Sequence, residues 1–343
     1  MFLGLCVRVK MKTVIKQIIL LLITVVFLYF VFVNLDFKEL LTVIKGFDLR
    51  YLILLSLSVM ISLSFRGLCF KQLISKSVNP PLKLLAPLCI ASAGLNIVLP
   101  ARAGDIFRAF FIGQKYNVDK VKVFGTIMFE RILDVFTIFC FLMVGVFVYN
   151  RNELAMRLCS IAGACLLFGI VFVILTYKFN KTDDICNFFI EKTRKLPMAS
   201  FVEKIVGFFQ KLCNSFFNGF EVIDSPKTIL YALSVSVCVW FFECMNFLIT
   251  IYGFGFELHW SVTLFIIAFI AMACMIPSTS IFIGPYQLAV ITAFSIYNVN
   301  KETALAISFV EQAFVTLTTC LVAVIFLIKN NISFSELKKD IRK

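Results

Sequence analysis

Residues 84–115 read LLAPLCIASAGLNIVLPARAGDIFRAFFIGQK. The first part, 84–99, is apolar enough for the interior of a bilayer but too short to cross it, because a hydrocarbon core of ~30 Å takes about 20 helical residues. The run stops at Pro100, and Arg102, Gly104, Asp105 and Arg108 follow at once. A second helical stretch then covers roughly 104–115. Backbone that breaks at membrane depth is tolerated only where protein or a water-filled cavity surrounds it. The stretch therefore predicts a re-entrant, broken-helix hairpin inside a polytopic membrane protein. A similar pattern recurs at 261–276, which stops at Pro277 and is followed by Ser278, Thr279, Ser280, Gly284 and a short helix over 285–296. Those hydroxyls are suited to freed backbone groups. Two full crossings at each place, making ten spans, is the competing reading.

Outward from these hairpins lie six longer apolar runs, at about 14–33, 51–70, 123–149, 155–177, 229–252 and 304–328. The whole chain agrees: 343 residues, 61% hydrophobic, 15% charged, 41 Phe and a mean hydropathy of +0.97. Soluble chains carry about 25% charged residues. A soluble enzyme, a disordered chain and a disulfide scaffold are excluded. The expected fold is all-α, a single integral membrane domain over 1–343. The first run is too long for a signal peptide and passes into Asn34-Leu35-Asp36 without a small-residue cleavage site.

The net charge of +13 reads as a membrane address. With the N-terminus inside and both hairpins re-entrant, 23 of the 33 Lys and Arg fall on one side and six on the other. The positive-inside rule makes the rich side cytoplasmic, with both termini there. Between 182 and 220, Phe201, Val202, Ile205, Phe208, Phe209, Leu212, Phe216 and Phe217 recur at helical spacing among Lys and Glu. Such a helix either lies on the inner leaflet or packs on the cytoplasmic face of the bundle.

The chain also repeats itself. Tyr116-Asn117-Val118-Asp119-Lys120 returns as Tyr297-Asn298-Val299-Asn300-Lys301, and Glu130 returns as Glu311, both at an offset of 181 residues. Pro100 and Pro277, and Arg66 and Glu243, are related by 177. Unit one spans about 51–149 and unit two about 229–328, with a linking span and the amphipathic helix (155–220) between them. The odd linking span inverts the second unit, which is a transporter architecture.

Nine ionisable residues fall in or beside membrane segments: Arg66, Arg102, Asp105, Arg108, Glu130, Arg131, Asp134, Glu243 and Glu311. Each costs roughly 2.5–3.5 kcal/mol at a lipid-facing midplane, so they must face inward and pair. Arg102 and Arg108, with Gly104 at the opening of a helix, form a candidate site for an anionic headgroup. Asp105, Glu130, Arg131, Asp134 and Glu311 are candidate members of a gating or proton-coupling network, and Arg66 with Glu243 a pair across the repeat. A closed salt-bridge network that merely joins helices is the alternative. The one histidine, His259, adjoins Trp260 at a span boundary and reads as an interface anchor. The 12 cysteines show no CxxC spacing and read as small apolar residues. No metal, cofactor or nucleic-acid motif is present.

Pro100, Arg102, Gly104, Asp105 and Arg108, followed by Glu130, Arg131 and Asp134, resemble the transmembrane region of the lysylphosphatidylglycerol synthases, a broad flippase-like membrane family. The resemblance covers about 10–330. That family's second motif is kept in part, at Pro277 and Gly284, while Ser280, Ile281 and Phe282 stand where Pro-Gly-Gly is usual and Gln287 where Glu is usual. The resemblance implies a translocator of membrane lipid, either an anionic phospholipid or a polyprenyl-linked sugar. In full-length synthases a soluble aminoacyl-transferase domain follows, for which this sequence leaves no residues. A lipid-modifying enzyme of the phosphatidylglycerol lysyltransferase type and an accessory subunit serving a partner in cell-envelope synthesis are the other two readings.

Overall fold

The computed structural model describes residues 28–33, 35–99, 102–149, 199–220, 225–273 and 282–332, with isolated positions at 163 and 169. The expected spans 14–33 (beyond its last turn) and 155–177 therefore lie outside the described residues, as do Pro100, Pro277, Ser278, Thr279 and Ser280. Every regular element among the described residues is helical. They are α1 (Phe37–Lys45), α2 (Tyr51–Ile74), α3 (Leu82–Val98), α4 (Ala103–Tyr116), α5 (Lys120–Tyr149), α6 (Ala199–Asn218), α7 (Pro226–Gly253), α8 (Val262–Ala273), α9 (Pro285–Ser295) and α10 (Lys301–Lys329).

Four of these, α2, α5, α7 and α10, are long and apolar enough to span a membrane, with 24, 30, 28 and 29 residues. Their outward faces are apolar: Ile53, Leu230 and Leu317 are 74%, 67% and 68% exposed. In water that exposure would be penalised. In lipid it is solvation. By contrast α3, α4, α8 and α9 have 17, 14, 12 and 11 residues. At 1.5 Å per residue none exceeds about 26 Å over its described residues, which falls short of the hydrocarbon core.

α2 and α7 are the central pair and run antiparallel. The Ser58 hydroxyl donates to the Phe242 carbonyl, Ser62 to Val239, and the Cys69 thiol to Ala232, so numbers rise along one helix as they fall along the other. Around this pair the packing partners recur five helices on. α3 lies on α10 as α8 lies on α5; α2 meets α3 as α7 meets α8; α4 meets α5 as α9 meets α10; and α6 lies on α5 as α1 lies on α10. Close approach is provided by glycine. A Cβ at Gly94 would sit 2.6 Å from the Thr319 carbonyl oxygen, which holds α3 against α10.

The repeated Tyr-Asn-Val-Asp/Asn-Lys stretch proves to be a helix-to-helix turn. Asn117 and Asn298 both adopt left-handed backbone, at φ 53° and 55°. Asn tolerates that region better than most side chains. In each case the following valine N–H closes the previous helix, Val118 onto Gly113 and Val299 onto Phe294. The next residue opens the new helix: Asp119 accepts from the Val121 N–H at 2.9 Å and Asn300 from the Thr303 N–H at 3.1 Å. Of the two expectations for 182–220, the described part of α6 supports packing on the bundle. Phe216 contacts the α5 residue Phe124, and a Cβ at Gly125 would meet the Phe216 carbonyl oxygen at 2.1 Å.

Candidate functional site

Both hairpins break through a residue with left-handed backbone, Arg102 (φ 52°) before α4 and Phe282 (φ 53°) before α9, where Gly284 (φ 100°) caps the helix. The start of α4 is pressed against α3. A Cβ at Gly104 would stand 2.0 Å from the Ser92 carbonyl oxygen, so only glycine fits there without moving a helix. The Asp105 N–H, one of the free donors of the helix start, is taken by the Asn96 side chain at 3.1 Å.

This packing delivers Asp105 and Arg108 to the interior beside Glu130 and Asp134 of α5. Arg108, 1% exposed, meets Glu130 at 3.0 Å and Asp105 at 3.8 Å. It also donates to the Cys89 thiol at 3.3 Å and lies over the Phe70 ring at 4.3 Å. Arg66 reaches Asp134 at 2.8 Å and Glu130 at 3.3 Å. Arg131 reaches Asp134 at 2.8 Å, Glu130 at 3.4 Å and Asp105 at 3.8 Å. Three guanidinium groups and three carboxylates are thus interlocked. Ser236 and Trp240 of α7 complete Asp134 with hydrogen bonds of 3.2 and 2.9 Å.

Two sequence expectations change. Arg108 is not an open headgroup ligand beside Arg102. It is buried and clasped by Glu130, because the Gly104 contact turns the α4 face inward. The direct Arg66–Glu243 pair is not made either: Arg66 turns to α5, and Glu243 instead accepts from Ser62 at 2.7 Å and Asn246 at 3.3 Å. Arg102 lies at the break, exposed and without an ion pair among the described residues.

In unit two, Glu311 is 4% exposed and receives the Tyr286 hydroxyl. Gln287, which stands where an acid is usual, accepts the Gly284 N–H at 2.7 Å and donates to Gln312 at 2.6 Å. The amide performs both tasks, which a carboxylate cannot. His259 pairs with Ser261 at 2.7 Å, and Ser261 with the Tyr297 hydroxyl at 2.6 Å, next to a Trp260 that is 46% exposed. Among the described residues no cluster of three or more His, Cys, Asp or Glu is placed to hold a metal ion.

The two sets of charges meet at a cavity of about 320 Å³. Arg66, Arg102, Arg108 and Arg131 line it from unit one, and Glu243 and Glu311 from unit two. A larger cavity of about 1040 Å³, between α4, α5 and α6, is mostly apolar and touches none of the nine intramembrane charges. Residues sequence reasoning passed over are the neutral ones: Asn96, Trp240, Asn246 and Tyr286. Their only signal was polarity inside apolar runs.

The family model for the lysylphosphatidylglycerol synthase TM region matches residues 17–323 of the chain. No curated protein and no solved structure matches it.

Proposed function

The chain belongs to the lysylphosphatidylglycerol synthase transmembrane-region family, and from that premise we propose that it translocates an anionic phospholipid or a polyprenyl-linked sugar between the leaflets of the cytoplasmic membrane. One observation carries this reading: a charged cavity at the helix breaks, lined from both halves of the chain. Charges in a bilayer are expensive and mark substrate or ion pathways. Arg102 would meet the headgroup phosphate, with the quarter-exposed Arg131 beside it. The interlocked arginines and carboxylates would hold α2, α4, α5 and α7 in register as the gate.

An inverted duplication of α2–α5 and α7–α10, each with a short flanking contact from α1 or α6, is supported by the recurring packing partners, by the matched asparagine turns and by the antiparallel α2–α7 pair. Two equivalent helices that meet antiparallel are related by an axis lying in the membrane plane. The short α3, α4, α8 and α9 favour re-entrant hairpins. On this reading both termini are cytoplasmic. Cysteine-accessibility mapping is expected to place the 115–122 and 297–303 loops on opposite faces; finding them on the same face defeats the inversion.

Proteoliposomes test the function. The wild-type chain should accelerate leaflet exchange of phosphatidylglycerol, its lysyl form or a polyprenyl-phosphate sugar. Arg102→Gly should lose it while folding normally. Left-handed backbone costs a non-glycine residue about 1–2 kcal/mol, and glycine's added chain entropy about 0.5–1 kcal/mol, so the two nearly offset. If none of the lipids moves faster than in empty liposomes, the translocator reading fails.

A further inference from the structure

We infer that the unit-two wall of the cavity, formed by Glu243, Asn246 and Glu311, is a binding subsite for one monovalent cationic group. The argument begins with what unit one has already done. Asp105, Glu130 and Asp134 each have a guanidinium within 4 Å, and Arg66, Arg108 and Arg131 are consumed in return. That half is neutral by itself, apart from the extra positive charge of Arg102.

Unit two has no such partner. Neither Glu243 nor Glu311 makes an ion pair among the described residues, and the neighbouring sequence Cys274–Ile281 contains no Lys or Arg. Four arginines face five carboxylates over the nine sites, so one added positive charge brings the cavity to zero. Leaving a carboxylate uncompensated in a low-dielectric interior is strongly unfavourable.

Asn246 supplies the independent pointer to a ligand. It lines the cavity and is 1% exposed, and its Oδ1 has no hydrogen-bond partner among the described residues. The amide cannot be turned around to cure this. Its Nδ2 donates to Glu243 Oε2 at 3.3 Å, and the opposite orientation would set an oxygen against a carboxylate. A lone proton on Glu311 would neutralise a charge but give Oδ1 no donor, and one on Glu243 would meet Oδ1 only with the amide turned over, a state that shows no response to sodium or to the ethanolamine lipid. A cationic group able to receive oxygen ligands, or to donate several N–H bonds, answers both needs. The same chemistry is offered by a free alkali ion and by the ammonium of a lipid headgroup whose phosphate lies against Arg102. The subsite takes its cavity from the translocator reading, but its readout is binding, so either can fail without the other.

The test uses the purified full chain. In mild detergent, sodium chloride replaces choline chloride at constant ionic strength, and radiosodium binding and the thermal midpoint are followed. In parallel, nanodiscs of phosphatidylglycerol with and without phosphatidylethanolamine are compared in choline buffer. Saturable stabilisation by sodium identifies a free ion, and stabilisation by the ethanolamine lipid alone identifies a headgroup. Glu311→Gln and Asn246→Ala should each weaken the response about tenfold or more, the size of one charge-assisted hydrogen bond. The exposed Glu257→Gln should not. Asn246→Ala alters no charge and carries the test if Glu311→Gln does not fold. The inference is overturned if neither probe stabilises the wild type, or if Glu311→Gln and Asn246→Ala respond as the wild type does.

Discussion

The Arg108–Glu130 pair lends itself to a double-mutant cycle of known sign. Both side chains are 1% exposed and 3.0 Å apart. Glu130→Gln removes the negative charge that Arg108, Arg66 and Arg131 share, leaving three guanidinium groups against Asp105 and Asp134. Arg108→Met removes the cation and leaves three carboxylates against two arginines. Breaking a buried pair from one side costs about 3–5 kcal/mol, because the other charge stays buried and uncompensated. The double variant is different: Asp105 and Asp134 then face Arg66 and Arg131, two against two. Its loss should be close to that of either single variant, which gives a coupling energy of about 3 kcal/mol, at the upper end for residues in one network. Unfolding in mixed micelles with added dodecyl sulfate, followed by tryptophan fluorescence, measures all four corners. Trp240 is a reporter within the network, since it binds Asp134 at 2.9 Å and stands 5.7 Å from the Arg66 guanidinium. Single losses below about 1 kcal/mol, or a double loss equal to the sum, would refute the claim that these charges form one closed unit.

Gly104→Ala should lower stability by about 1–3 kcal/mol and slow leaflet exchange together, because α4 must shift off Ser92; unchanged thermal unfolding of this variant would contradict the close contact. Gly125→Leu should loosen α6 from α5 and raise protease sensitivity near 199–220, with the mass of the first cleavage products as the check. Burial pushes the Tyr297 hydroxyl, in the turn between α9 and α10, up to about 12. A free phenol titrates near 10, so the folded state holds the proton longer and stability falls as pH rises from about 10 to about 12; Tyr297→Phe should lessen that alkaline loss in a pH series of unfolding midpoints.

Helix existence was readable because it follows from hydrophobic length alone. The expected spans 51–70, 123–149, 229–252 and 304–328 each lie within one long helix, and the paired short helices flank both breaks as the stops at 99 and 276 implied. The asparagine turns were visible as a repeat but not as a conformation, since left-handed backbone at Asn117 and Asn298 is a demand of chain geometry. The nine charges were identified by position, because a bilayer penalises them individually. Their partners were not. Which carboxylate clasps Arg66 depends on the rotation of α2 against α5 and α7, set by packing between residues more than sixty positions apart. That Arg108, at the wall of the cavity, is clasped by Glu130 was hidden for a local reason: how deeply a side chain in the second turn of a helix is buried depends on how closely that helix seats, and here Gly104 sets the seating.

The same dependence explains why the two halves differ in chemistry despite matching turns. Glu130 and Glu311 are 181 residues apart in sequence and occupy helices with the same kinds of neighbours, yet Glu130 is gripped by three arginines and Glu311 by a tyrosine hydroxyl. On the proposed duplication, one scaffold used twice supplies two equivalent cradles for charge. Filling one with a self-neutralising network makes it rigid, because each ion is held by at least two others and none can leave without exposing its partners. Leaving the other with acids that make no ion pair among the described residues keeps a charge for the proposed cation to answer. On the proposed translocator and cation-site readings, motion and ligand dependence are confined to unit two, and unit one is the anvil against which it works. The Arg108–Glu130 cycle and the Asn246→Ala binding series probe these two properties separately, and the division of labour requires both a strong coupling in the first and a ligand response in the second.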